Sequence, residues 1–387
     1  MTQRNRGTLI FIFIYLVAFG GMLWYNLSHT LVNDGVYEYR IYLMNIEQGW
    51  EFRPFSLVNS CLVTTWIPAL VHNLTNWDTM IIFRVFPPIF YALMPAFTYL
   101  IARRYLVAKY ALIAVLVVAL NSYILYFPDM GRVGVAIGLM SGMIWALIKR
   151  KLIWAIVFAV LTVFSHYGTS LIAVGIVGVA FLAPLIWRRR LLKQYLIVFC
   201  TLFILIGVWH FGIAEVSGEL MYQTLFQTEQ TGQILPLAPD MFDITNREPA
   251  VQAALGMNLS SIPQIIEVIA NWLVVGLVSL GLFFMVRNKK IDGQFKIMAV
   301  AFWGLILFTI ALPTLSVYYG GMRVYFTSLM LLAVCFPLAA EKIAQKIHVP
   351  PLLLIGMVLV LYGLSTSGII YLPFGLEKTF PVAVTLP

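Results

Sequence analysis

Eleven stretches of this chain, at about 8–28, 79–102, 106–127, 133–148, 152–166, 168–187, 194–213, 263–286, 297–316, 324–340 and 350–372, run apolar with almost no charge inside them. A helix needs about 20 such residues to cross the hydrocarbon core of a bilayer. Hydrophobic residues make up 61% of the 387 and charged ones 11%, against about 45–50% and about 25% in soluble domains. With a mean hydropathy of +0.91, a soluble fold is excluded. The expectation is an all-α polytopic membrane protein of about 11 transmembrane helices. The first run follows Arg4 and Arg6, is about 21 residues long and lacks a small-residue cleavage site, so it reads as an uncleaved anchor. Cys61, Cys200 and Cys335 show neither metal-ligand spacing nor a disulfide framework and read as small packing residues.

The formal charge of +9 does not point to nucleic acid, because Lys and Arg in such a chain first set orientation. The run from Phe55 to His72 is long enough to cross but carries Asn59, Thr64, Thr65 and Pro68, and charge decides its status. With 55–72 held as an interfacial or re-entrant helix, stretches 4–6, 103–109, 149–151, 188–193, 287–296 and 342–346 put 18 of the 25 Lys and Arg on one side. If it crossed, 16 of those 18 would change sides, against the tendency of cationic residues to stay cytoplasmic. The expected protein sits in the cell membrane with its N-terminus cytoplasmic and its C-terminus outside. Fourteen of 16 acidic residues then lie outside, mostly in two large loops, 29–78 and 214–262. The division expected along the chain is 1–213, the loop 214–262, and the C-terminal helices 263–387.

Polar chemistry collects on that outer side. Six arginines, Arg40, Arg53, Arg84, Arg132, Arg247 and Arg323, lie there with one lysine, Lys378. Guanidinium forks bind phosphate oxygens bidentately where an ammonium acts as a point charge; contact with headgroups or outer carboxylates is the plainer reading. Asp34 and Glu38 are four apart, on one face if helical, and can act as a base with a helper or share a divalent cation. Equally, they can be a capping Asp and a solvated Glu paired with Arg40. Ser165-His166-Tyr167-Gly168-Thr169 interrupts a 36-residue stretch, Leu152 to Trp187, of roughly 54 Å as helix. That is short for two crossings of about 30 Å, so the turn is expected to be recessed, with His166 and Tyr167 either closing the hairpin or lining a wet cavity. Tyr318-Tyr319-Gly320-Gly321-Met322-Arg323 forms a third cluster, between an aromatic belt and a ligand-facing turn. The middles of the spans hold no Asp, Glu, Lys, Arg or His, which argues against ion-coupled transport.

Asp34 to Arg40 with Gly49-Trp50, Phe83-Arg84-Val85-Phe86-Pro87 to Pro95, Arg132, Ser165 to Thr169 and Arg323 together resemble the GT-C superfamily of membrane glycosyltransferases, over about 300 residues. The resemblance implies inverting transfer of a sugar from a polyprenyl-phosphate donor to a lipid or glycan acceptor at the outer face. It implies Asp34 as base, Glu38 second to it, and Arg323 and Arg132, with Arg84, holding the donor phosphate. His166, Tyr167, Tyr319 and Arg40 are then candidate substrate contacts, and 214–262 an acceptor loop. No plain Asp-X-Asp pair is present, which leaves a divalent cation as a possible cofactor only. The chain ends at Pro387 without the soluble C-terminal domain of oligosaccharyltransferases, favouring a lipid or small glycan acceptor over a protein. Rival readings are a polymerase of lipid-linked oligosaccharide repeats and a non-enzymatic flippase or scaffold for lipid-linked glycans. A cysteine placed at Asp243 should react with an impermeant reagent in intact cells and one at Lys289 should not; the reverse pattern would invert the orientation.

Overall fold

The computed structural model describes residues 3–31, 34–50, 56–121, 124, 131–188, 192–215, 217–219, 222, 249–257, 259–311 and 320–376. Among them every regular element is helical. Each of the eleven apolar stretches contains helix within its described part, yet the lengths differ. Seven are long and apolar enough to cross a membrane singly: Asn5–Ser28, Thr79–Tyr105, Gly131–Ile148, Tyr167–Ile186, Lys193–Ile213, Ile262–Arg287 and Gly293–Ala311. An eighth candidate is the pair Gly321–Leu332 and Cys335–Lys346, bent by 69°. The other three, Ala108–Ala119, Leu152–Val163 and Pro351–Thr366, are shorter. Among the described residues, length and composition single out seven crossings, or eight with the bent pair, and the expected count of eleven is not confirmed.

Two compact units divide the chain: residues 1–100 with 126–223, and 101–125 with 224–387. In the first, α1 is Gln3–Ser28, α2 Asp34–Gln48, α3 Trp66–Thr75, α4 Thr79–Tyr91 and α5 Leu93–Tyr105, whose last turn passes into the second unit. It continues with α7 Gly131–Ile148, α8 Leu152–Val163, α9 Tyr167–Arg188 and α10 Lys193–Ile206, which runs into a π-helical turn at Gly207–Ile213. The second unit contains α6 Ala108–Ala119, α11 Pro249–Ala254, α12 Ile262–Arg287, α13 Gly293–Ala311, α14 Gly321–Leu332, α15 Cys335–Lys346 and α16 Pro351–Thr366. Although early in the chain, α6 packs with the C-terminal helices.

Local sequence starts the helices where capping requires. Asp78 accepts a hydrogen bond from Ile81 N at 2.9 Å to open α4, and Ser261 with Gln264 forms a reciprocal capping box on α12; both satisfy amide donors that the first turn of a helix leaves without partners. In the first unit α7 is the central helix, buried along nearly its whole length. Its glycines make close approach possible: a Cβ at Gly138 would land inside the Phe90 carbonyl, and one at Gly134 would lie 2.8 Å from the Tyr91 ring. Val135 and Leu139 of α7 pack with Val63, Phe86, Phe90 and Phe158. Tyr42 of α2 packs with Ala69, Ile82 and Phe83, fixing α2 on α3 and α4.

The 55–72 run is not a span. Within its described part it is a 3-10 turn at Val58–Ser60 followed by the start of the 10-residue α3, about 15 Å of helix. Its polar residues face inward and are satisfied there: Asn45 Nδ2 donates to Asn59 Oδ1 at 3.2 Å, and Thr64 and Thr65 hydroxyls each donate to the Cys61 carbonyl at 3.1 Å. The turn between α8 and α9 is buried as well, with Ser165, His166, Thr169 and Ser170 all excluded from solvent. The two segments join through Val63 N donating to the Phe164 carbonyl at 3.1 Å.

Because the neighbour of Gly138 is backbone, it cannot rotate away. Gly138→Ala should therefore destabilise the folded protein by roughly 1–3 kcal/mol or more, read as a fall in thermal midpoint, while Gly175→Ala, with nothing within 4 Å of the added carbon, should leave it unchanged.

Candidate functional site

One charged side chain organises the polar centre of the first unit. Arg132, in the first turn of α7, places Nη2 3.1 Å from Asp34 Oδ2 and Nε 3.1 Å from Glu38 Oε1. The two acids come from one face of α2 because a helix returns to the same azimuth after about four residues. Their environments differ: the Asp34 side chain is 39% exposed, Glu38 1% and Arg132 11%. An ionised carboxylate buried as deeply as Glu38 is tolerable only with a partner, and Arg132 supplies it. Gly131 makes room for the pair, since a Cβ there would meet Glu38 Oε2 at 2.9 Å and Pro87 at 3.1 Å.

Tyr167 and Cys61 lie close enough to Arg132 to interact with it electrostatically. Cys61 is fully buried, and burial pushes its thiol up to about 11, against the opposing pull of Arg132. It is a neutral thiol at physiological pH. Tyr167 opens α9 beside His166, with ring centroids 4.7 Å apart. His166 itself caps that helix: its Nδ1 accepts from Thr169 N at 3.1 Å and lies 3.0 Å from the Thr169 hydroxyl. An acceptor Nδ1 in the neutral ring places the proton on Nε2. His166 Nδ1 is thus bonded within the hairpin turn, and Tyr167 is the member of the pair close enough to feel the guanidinium charge.

The π-helical turn at Gly207–Ile213 closes the centre from another side. Trp209 Nε1 donates to the Ser60 carbonyl at 3.0 Å, and its ring stacks on Trp50 at 5.9 Å and meets Phe164 edge-on at 5.0 Å. His210 is buried, with Nδ1 2.8 Å from the Ser217 hydroxyl and its ring 6.5 Å from Tyr167.

The remaining sequence candidates are each described by their own surroundings. Arg84 hydrogen-bonds through Nη1 to the carbonyls of Asn26 and His29, the latter at 2.6 Å, while Asn26 Nδ2 returns a bond to the Arg84 carbonyl. That is a cation capping the carbonyl end of α1. Arg40 is exposed on α2. Arg323 is half-buried in the first turn of α14, in the second unit, following Gly320 at φ 91°. Tyr319 falls outside the described residues. Among the described residues no group of three or more His, Cys, Asp or Glu could hold a metal ion, and the two carboxylates that could share a cation both turn an oxygen to Arg132. Sequence reasoning paired Asp34 with Glu38 but missed that Arg132 joins them, and it passed over Gly131 and His210. The glycine immediately before Arg132 was the one local signal of crowding there.

This arrangement sits in an ArnT-like fold. The structure superposes on that of ArnT from Cupriavidus metallidurans bound to undecaprenyl phosphate, with a TM-score of 0.53 and 13% identity over 95% of this chain and 72% of that one. No protein-family model matches the chain, and a search of curated proteins finds no significant match.

Removing one member of a buried ion pair leaves the other uncompensated, at a cost of about 3–5 kcal/mol. Arg132→Met should lower the unfolding midpoint sharply, and adding Glu38→Gln should restore part of the loss. A double variant no more stable than the single would show that Glu38 does not depend on Arg132.

Proposed function

We propose that the protein is a glycosyltransferase that moves a sugar from a polyprenyl-phosphate donor to a lipid or glycan acceptor at the outer membrane face. The observation that carries this reading is the acid pair of α2 held by Arg132 beside Tyr167, within a fold shared with a protein solved bound to a polyprenyl phosphate. The outer location rests on the charge reading of the sequence, in which all eleven stretches cross and α2 and the start of α7 lie opposite the cationic loops.

The difference in exposure between the two acids divides their roles. Asp34 is open enough to meet an acceptor hydroxyl and takes its proton as the oxygen attacks the anomeric carbon of the sugar. Glu38 is sealed and holds Arg132 by Nε, so it positions the guanidinium. With Nε in ion-pair contact with Glu38 and Nη2 bonded to Asp34, the Nη1 edge of Arg132 is the one assigned to the donor phosphate. As the bond from the anomeric carbon to the phosphate oxygen breaks, negative charge grows on the leaving polyprenyl phosphate, and a fixed cation stabilises it there. Attack from the opposite face inverts the anomeric configuration. Tyr167 offers a hydroxyl beside the same guanidinium. Arg323 is proposed as a donor-phosphate contact on the sequence reading alone. The donor set of Asp34 and Glu38 does not suit a resident divalent cation, because Arg132 already draws on both carboxylates. Arg84 is left out of the site, since its bonds to α1 carbonyls give it a structural task.

Purified protein incubated with a panel of polyprenyl-phosphate sugars should release polyprenyl phosphate with at least one of them. With that donor, Asp34→Asn should lower turnover by about 10²- to 10⁴-fold, the usual worth of a general base, while leaving thermal stability near normal because Asp34 is half exposed. Near-normal turnover in a folded Asp34→Asn protein would remove it from the mechanism. Arg323→Lys keeps the charge but loses the fork geometry and should weaken donor binding; unchanged donor affinity in Arg323→Ala would take that residue out of the phosphate site.

A further inference from the structure

The second unit carries a concentration of cations that sugar transfer does not use. Three stretches converge at one of its ends: the 103–109 junction between α5 and α6, the 287–296 junction between α12 and α13, and the last turns of α15. Their convergence is fixed by side chains. Tyr105 donates its hydroxyl to Asp292 Oδ2 at 2.5 Å, its ring lies 4.2 Å from that of Phe295, and Tyr110 sits beside Glu341. Nine Lys and Arg lie in these stretches against two acids, Asp292 and Glu341.

The acids are already engaged. Asp292 Oδ1 accepts from Phe295 N at 2.9 Å, and Oδ2 lies 3.7 Å from Arg104 Nε besides taking the Tyr105 hydroxyl. Two further cations are spent on backbone, Arg103 on the Leu106 carbonyl and Lys296 on that of Val286. The other six, Lys109, Arg287, Lys289, Lys290, Lys342 and Lys346, are exposed and form no salt bridge with a carboxylate among the described residues. Two of them are held over aromatic rings, Arg287 at 3.9 Å from the Phe283 centroid and Lys109 at 5.0 Å from that of Tyr110. Such contacts limit the freedom of long side chains before any ligand arrives.

We infer that this end of the second unit is a binding surface for the phosphate headgroups of anionic phospholipids. Exposed apolar side chains directly adjoin the cations, among them Val107, Phe283, Val286 and Ile347. A soluble anion would satisfy the charges and leave those side chains wet, whereas a phospholipid places a phosphate on the first and acyl chains on the second. Lys and Arg stems lying along apolar surface with their heads at the interface are suited to that boundary. The inference stands apart from the sugar-transfer reading and involves none of its residues.

The test uses the purified full chain in nanodiscs of phosphatidylcholine alone or with a minority of phosphatidylglycerol, so that insertion and orientation are already complete. Phosphatidylglycerol should be enriched among lipids retained after mild detergent extraction and should raise the thermal midpoint, and high salt should erase both effects. Lys289→Gln/Lys290→Gln and Lys342→Gln/Lys346→Gln should each cut retention, by about fivefold per cation removed. Arg150→Gln/Lys151→Gln/Lys193→Gln, on the first unit, should not. Unchanged retention in the second-unit variants would overturn the proposal, as would an equal loss in the first-unit control. So would an equal stabilisation by inorganic polyphosphate in discs without phosphatidylglycerol, since the site would then be one for free phosphates.

Discussion

A charge buried in an apolar bundle has to be answered by another, and the first unit is built around one such answer. Glu38 has lost nearly all its water, so its ionised form depends on Arg132, and Arg132 in turn requires α7 to begin against α2. Gly131 permits the approach, Pro87 of α4 bounds it, and the buried segment around Cys61 and the turn at Tyr167 close the remaining sides. Removing the pair would therefore disturb the packing of several elements as well as any chemistry they support. The same interaction leaves Asp34, one helical turn away, as the carboxylate that water can reach.

How much of this was legible in the sequence depended on the range of each interaction. The helical, membrane-embedded character followed from the apolar runs, and every run contains helix within its described part, because hydrophobicity over about 20 residues is a local property. The number of crossings was not confirmed in the same way. Leu152–Val163 is as apolar as any run but short, and the helix from Gly321 to Lys346 bends, features set by packing and by the buried turn at Ser165 to Thr169. The placing of 55–72 off the list of spans rested on charge balance, and its short helix and inward-facing Asn59, Thr64 and Thr65 agree with that.

Side-chain partners were harder to read. Asp34 and Glu38 shared a face by spacing alone, yet their common cation lies 94 residues beyond Glu38, and nothing local to Arg132 names its partners. Arg84 looked like a phosphate ligand because a guanidinium near a span end is costly; its actual partners are the Asn26 and His29 carbonyls, which carry no signature in the residue types. His166 illustrates the reverse. The expectation left open whether it closes the hairpin or lines a cavity, and its Nδ1 is bonded within the turn, to Thr169 N. The cationic stretches were read as orientation signals, a role unaffected by the gathering of three of them at one end of the second unit.

The π-helical turn at Gly207–Ile213 has a consequence for how this protein can change. A π turn holds an extra residue relative to the α-helix, so what lies beyond it is rotated by about 100° from an unbroken helix. That offset lets Trp209 reach back to Ser60 while His210 reaches forward to Ser217. Losing a single residue there would heal the backbone into a regular helix and turn one of the two rings toward lipid. Point substitutions can drift freely along the lipid-facing side of α10, but a change of length by one is a change of phase, and this short turn keeps the count for everything that follows it.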